Sequence, residues 1–165
     1  MKKLILASAI AIAIASPAFA APGNTSTATG TATATIVSPI TLTHTSGAAL
    51  GFGRFTTGNG GSVTVSPAGT GSVTGEVTFV PGSTNAADAF TVTGDASRAF
   101  SIATTGGTVS AAGTSMPFTT TASAASDTLS AGGTASFTVG GTLTVAGTEA
   151  AGAYTGTFTA TVTYN

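Results

Sequence analysis

The sequence contains no cysteine, a single histidine and few charged residues. Without cysteine there is no disulfide framework, no thiolate metal site and no anchor through a lipidated Cys. One histidine, His44, leaves no choice of base for a nucleophilic triad, and zinc would lack its three or four ligands. It is expected to be an exposed or hydrogen-bonded surface residue. Lysine occurs only at positions 2 and 3, which removes any Lys–Asn isopeptide crosslink from the rest of the chain. From residue 21 onward, Arg54 and Arg98 stand against Glu76, Asp88, Asp95, Asp127 and Glu149, a formal net charge of −3. So few cations exclude nucleic acid and anionic membrane surfaces as natural partners. The five carboxylates are scattered and form no Asp-x-Asp-x-Asp calcium loop. Each reads as a solvated strand or turn group. The Gly-rich stretch 46–61 has no lysine and no helix after it, which excludes a phosphate-binding loop. No catalytic residue, cofactor site or metal site is expected.

What is present begins with an export signal. Lys2 and Lys3 precede an apolar run from Leu4 to Ala15, and Ala18-Phe19-Ala20 fits a small-x-small cleavage site. Residues 1–20 therefore read as a cleaved signal peptide. The apolar run is too short to span a bilayer, and no second run follows, so no membrane insertion of the mature chain is expected. The organisation expected is a signal peptide (1–20), a flexible leader (21–27) and one domain (28–165). Localisation would be periplasmic, at the cell surface or extracellular.

The mature chain is dominated by alternation of apolar or small residues with Thr and Ser. From Tyr154 to Asn165 it reads YTGTFTATVTYN, with Tyr154, Gly156, Phe158, Ala160, Val162 and Tyr164 on one face and threonines on the other. Side chains alternate across a strand, and β-branched Thr suits a pleated surface. This predicts one long final strand. The same period marks a first strand (Ala28, Gly30, Ala32, Ala34 and Ile36, then Ile40 and Leu42) broken at Ser38-Pro39. Shorter strands are expected around 62–66, 72–80, 90–93, 100–102 and 116–118, with loops at 46–61, 104–114 and 122–132. In residues 134–145, Phe137-Thr138-Val139-Gly140-Gly141-Thr142-Leu143 allows two readings. A two-residue Gly-Gly hairpin would put Leu143 and Val145 on the face opposite Phe137 and Val139. One continuous strand, kinked or bulged at the glycines, keeps all of them on one face and is the reading adopted. Phe52, Phe55, Phe79, Phe90, Phe100, Phe118, Phe137 and Phe158 are the expected large core members. Eight or nine short strands with no amphipathic helix predict an all-β fold, an antiparallel immunoglobulin-like β-sandwich.

Several segments together resemble the bacterial secreted family called domain of unknown function 4402. They are ATATIVSPITLT (32–43), LGFGRF (50–55), GSVTVSPAG (61–69), AFTVTGDASRAFSI (89–102), FTVGGTLTVAG (137–147) and AGAYTGTFTATVTYN (151–165). That family name carries no activity. The final segment also resembles pilin subunits of archaic chaperone–usher pili, including spore-coat-protein-U-like domains. Those subunits end in an alternating strand with a penultimate aromatic, here Tyr164, and a glycine fourteen places from the end, here Gly152. The pilin resemblance implies a sandwich completed by an added strand, first from a periplasmic chaperone and usher system, then from the next copy of the subunit. Gly30 and Ile36 would lie on the donor face. Gly152, Tyr154, Phe158, Val162 and Tyr164 would lie on the acceptor. The expectation is thus an exported, non-enzymatic, pilin-like structural subunit of a bacterial surface or fimbrium. The alternative is a self-complete secreted module whose loops bind a glycan or surface ligand.

Overall fold

The strand with the most neighbours is the one whose glycines allowed two readings. Described in the structure, a computed structural model, are residues 23–25, 27–111 and 113–165. The expected signal peptide lies outside them. The chain divides into two units after Thr35. The described residues of the first carry no helix or strand and are exposed.

The second unit is all-β, with strands β1 (Thr41–His44), β2 (Phe55–Thr56), β3 (Gly61–Val65), β4 (Gly71–Gly75), β5 (Thr78–Phe79), β6 (Asp88–Thr93), β7 (Ala99–Thr105), β8 (Gly107–Ala111), β9 (Thr114–Ala122), β10 (Ser126–Thr128), β11 (Thr134–Val145), β12 (Thr155–Gly156) and β13 (Thr159–Tyr164). Four of these are only two or three residues long. Every ladder is antiparallel.

β11 is one continuous strand of 12 residues, as parity predicts. One of its edges pairs with β6 through Thr134–Val139 and then with β3 through Gly141–Val145. Its other edge pairs with β9 through Val139–Leu143. Gly140 sits where the first edge passes from one partner to the next. A Cβ there would collide with the backbone of Val65, Ser66 and Pro67, so only glycine allows the approach. β1 extends the sheet beyond β6, β4 beyond β3, and β8 then β12 beyond β9, giving eight strands.

The covering layer is divided. A three-stranded sheet, β10-β7-β13, lies over one end of the large sheet, and the β2-β5 pair lies over the other. The first core cluster joins Phe90, Val92, Phe137 and Val139 of the large sheet to Phe100 and Ile102 of β7, with Leu129. Phe90 and Phe137 are direct cross-strand partners and stack at 5.3 Å, the kind of pair that adds to area burial. The second cluster holds Val63, Val77, Met116, Phe118, Leu143 and Val145, with Leu50, Phe52, Phe55 and Phe79 half-buried against it. The two layers enclosing these clusters make a β-sandwich, and the eight expected phenylalanines all fall in or against them.

Several expectations are corrected. Thirteen strands among the described residues replace the eight or nine expected, because short pairings such as β2 and β10 form inside the expected loops 46–61 and 122–132. The N-terminal alternation at 28–36 forms no strand, and pairing begins at Thr41, where Leu42 turns inward against Val92. Alanine and glycine side chains bury too little area to hold a strand in place, and Pro39 supplies no donor. The expected loop at 104–114 contains β8, whose alternation is faint because Val109 is its single large apolar residue. The final run is not one strand. Its first part pairs with β8 in the large sheet and its second part with β7 in the small one. β7–β8 and β12–β13 together form a two-stranded ribbon that bends from one layer to the other, a known way of making a sandwich corner. Phe158 lies at the bend and touches both clusters.

Replacing Gly140 by Ala is expected to cost about 1–3 kcal/mol in urea unfolding, the usual range for overpacking. Gly152→Ala, where an added Cβ meets nothing closer than 4.0 Å, is expected to change stability by under about 0.5 kcal/mol. Equal effects at the two positions would contradict the β11 junction.

Candidate functional site

Two features of the Ile36–Asn165 unit are open to another molecule, and both follow from the divided covering layer. The first is a cleft of about 1210 Å³ over the second core cluster. Its floor is the inner face of β8, β9 and β11, with Val109, Met116, Phe118 and Leu143. Its walls are two segments with little ladder pairing, 48–57 and 149–158. Phe52 meets Phe118 edge to face at 5.8 Å, and Phe158 does the same at 6.4 Å. The glycines expected to bend 46–61 around Phe52 and Phe55 therefore help to make a wall.

Polar groups at the cleft are few. His44 Nε2 lies 2.7 Å from Asp88 Oδ1, and the Ala89 N–H donates to the same oxygen at 2.8 Å. The Asp88 side chain is 7% exposed and that of His44 is 50% exposed. Asp88 is thus not the solvated carboxylate expected from its spacing. It opens β6, and the β1–β6 ladder sets His44 opposite Phe90, whose ring it meets edge-on at 5.2 Å. Nothing local in the sequence announces a pair separated by 44 positions. The expected hydrogen-bonded surface histidine is found, and its partner is the buried residue that sequence reasoning missed. At the far rim, Glu149 accepts from the N–H groups of Ala146 and Gly147 at 2.7 and 2.8 Å. Partial burial acts to raise the Glu149 carboxyl, but the N–H groups of Ala146, Gly147, Thr148 and Glu149 itself outweigh it and hold it below its ordinary value of 4.5. A carboxylate so lowered supports its turn above the ordinary carboxylate range and loses that support as pH falls through the lowered value.

The second feature is the outer edge of β13. The strand is hydrogen-bonded to β7, and among the described residues no backbone bond joins its other edge to any strand. The Asn165 N–H continues the β7 ladder by donating to Ala99 O. Alternation then directs the backbone groups of Ala160, Val162 and Tyr164 away from β7. The side chains of these three residues lean on the first core cluster and stay only half-buried. Tyr164 fixes the end of the strand. Its hydroxyl accepts from the Asp95 N–H at 2.7 Å and donates to Ser38 O at 3.0 Å. The Arg98 guanidinium lies over its ring at 5.1 Å. Gly94 leaves the room, since a Cβ there would strike the hydroxyl.

The expected acceptor residues are therefore divided between the two features. Gly152 and Tyr154 lie on the cleft wall, where Tyr154 Oη bonds to Thr114 Oγ1 and Ala150 O. Val162 and Tyr164 lie on β13, and Phe158 links the two. The expected donor residues lie outside every ladder. Gly30 has open space around it and Ile36 is 97% exposed.

The family model described as domain of unknown function (DUF4402) matches residues 40–164. The chain belongs to the DUF4402 family. The match spans every strand of the sandwich, including both walls of the cleft and β13. No curated protein and no solved structure gives a significant match. Among the described residues of this DUF4402 chain, no three His, Asp or Glu side chains stand close enough to hold a metal ion. No helix there is long and apolar enough to cross a membrane, which says nothing of strands.

Tyr164→Phe removes both hydroxyl bonds while keeping the ring. It is expected to cost about 1–3 kcal/mol, since it leaves the Asp95 N–H without its partner. Urea unfolding of the variant would measure this, and an unchanged midpoint would remove the hydroxyl from the account.

Proposed function

We propose that this DUF4402 protein is an exported, non-enzymatic structural subunit that assembles by strand addition. The observation that carries the reading is the bare edge of β13. Edge strands normally carry charge, proline, a bulge or a cover that prevents pairing with another chain. β13 reads TATVTY and has no charged residue and no proline. Other edges are poorer templates: β1 has four residues, and β2 and β5 have two each. β12 has two residues, β10 has three including Asp127, and β4 ends at Gly75 in the left-handed region. A strand laid beside β13 would satisfy its outward backbone groups and cover Ala160, Val162 and Tyr164.

The donor this reading favours is residues 28–36 of a second copy. That segment alternates, is exposed, and lies outside every ladder of its own chain. Its small side chains mean that main-chain bonds supply most of the affinity, with Ile36 as the one large apolar contact. The resemblance to chaperone–usher pilins, with Gly152 and Tyr164 in corresponding places, supports the same assembly and a periplasmic chaperone and usher as partners. The signal peptide read in residues 1–20 supports export to the periplasm or cell surface.

The cleft favours a second reading. An apolar concavity of this size with a few polar groups is where a ligand would bind a self-complete module. In that case β13 is a finished edge and the protein acts alone.

The first reading is tested by the assembly state of residues 21–165 under sedimentation. Self-association is expected. Deleting residues 27–37, or placing a charge on the edge with Thr161→Lys, is expected to weaken it by at least about tenfold, or about 1.4 kcal/mol. A stable monomer, or an assembly indifferent to both changes, would exclude strand addition.

A further inference from the structure

The cleft contains one acceptor that the protein leaves unused. Asp88 Oδ1 takes both available hydrogen bonds, from His44 Nε2 and from the Ala89 N–H. Oδ2 accepts none from the described residues. A carboxylate offers about four lone-pair sites, so Oδ2, which keeps contact with solvent, has acceptor capacity that a matching donor can take in place of water. Asp88 is buried at the cleft lining, so a donor arriving through the cleft can reach it.

The other charged groups at the cleft are committed elsewhere. Arg54 donates from its guanidinium to Gly82 O. Glu149 holds the N–H groups of Ala146 and Gly147. Two carboxylates against one arginine favour a cation and disfavour an anion. The volume of about 1210 Å³ leaves room for an apolar body well beyond a single side chain.

We propose that the cleft binds an amphipathic primary amine, with its ammonium donating to Asp88 Oδ2 and its apolar chain lying on Phe52, Met116, Phe118 and Phe158. The inference rests on the reading of the cleft as a ligand site and is independent of β13. It assigns Asp88 the role of head-group anchor. His44 is a positioning residue, which occupies Oδ1 and so presents Oδ2 to the ligand.

The test uses the purified protein and N-phenyl-1-naphthylamine, a neutral dye that fluoresces in apolar sites. Dodecylamine, dodecanol, dodecanoate and dodecyltrimethylammonium then compete for it below their micellar concentrations. The amine is expected to displace the dye at about one-tenth the concentration needed for the alcohol or the carboxylate, about 1.4 kcal/mol of preference. It is also expected to surpass the quaternary ammonium, which has the charge and the chain but no N–H. Asp88→Asn, with folding checked by thermal unfolding, is expected to abolish the amine preference and leave the alcohol unchanged. Phe52→Ser is expected to weaken all the competitors alike. If the dye does not bind, the ligand-site reading itself falls. If it binds and the amine has no advantage over the quaternary ammonium in the unaltered protein, only the assignment to Asp88 falls. An amine preference that survives in folded Asp88→Asn would also overturn that assignment.

Discussion

Both core clusters stand on the inner face of β11, and that face depends on one constraint, an unbroken period of two across Gly140-Gly141. Phe137 and Val139 serve the first cluster, and Leu143 and Val145 serve the second. A one-residue slip between them would turn one pair to solvent. The strand holds its register by changing partners rather than by bulging. β6 leaves and β3 arrives at Gly140, which has no side chain to obstruct them. The position of every other strand in the large sheet follows, because each is paired to β11 directly or through one or two neighbours.

The covering layer does not match that continuity. β11 is long enough to carry two clusters, and its cover comes in two small pieces. The ribbon of β7–β8 and β12–β13 bends from one layer to the other and ties them at one corner, with Phe158 edge-on to both Phe90 and Phe118. What the ribbon leaves uncovered becomes the cleft, and what it leaves unpaired becomes the outer edge of β13. A cover built from a ribbon that must turn a corner thus leaves two openings, the cleft to a side chain or ligand and the edge to a backbone. They lend themselves to different partners, which is why two functional readings arise from one fold.

Much of this was legible in the sequence where side chains are large and the period is clean. The parity of Phe137, Val139, Leu143 and Val145 decided β11 between two readings, and the eight phenylalanines marked the core. Legibility failed where alternation used small residues. Ala28 to Ala34 has the period of a strand and lacks the area to stabilise one, while Val109 alone was too faint to reveal β8. The final run misled in the opposite way. Its alternation is unbroken, and the bend at Thr157-Phe158 comes from pairing with two sheets, which no local pattern records. The site was half legible. Tyr154, Phe158, Val162 and Tyr164 were identified by face, and the burial of Asp88 against His44 was not, since it arises only when β1 pairs with β6.

The central claim is that β13 is hydrogen-bonded on one side only, and amide hydrogen exchange of the unassembled domain tests it residue by residue. Protection is expected to alternate, slow at Thr159, Thr161 and Thr163, which face β7, and fast at Ala160, Val162 and Tyr164, which face outward. Uniform slow exchange along all six residues would mean that the edge is already paired, and the account of an open edge would be wrong.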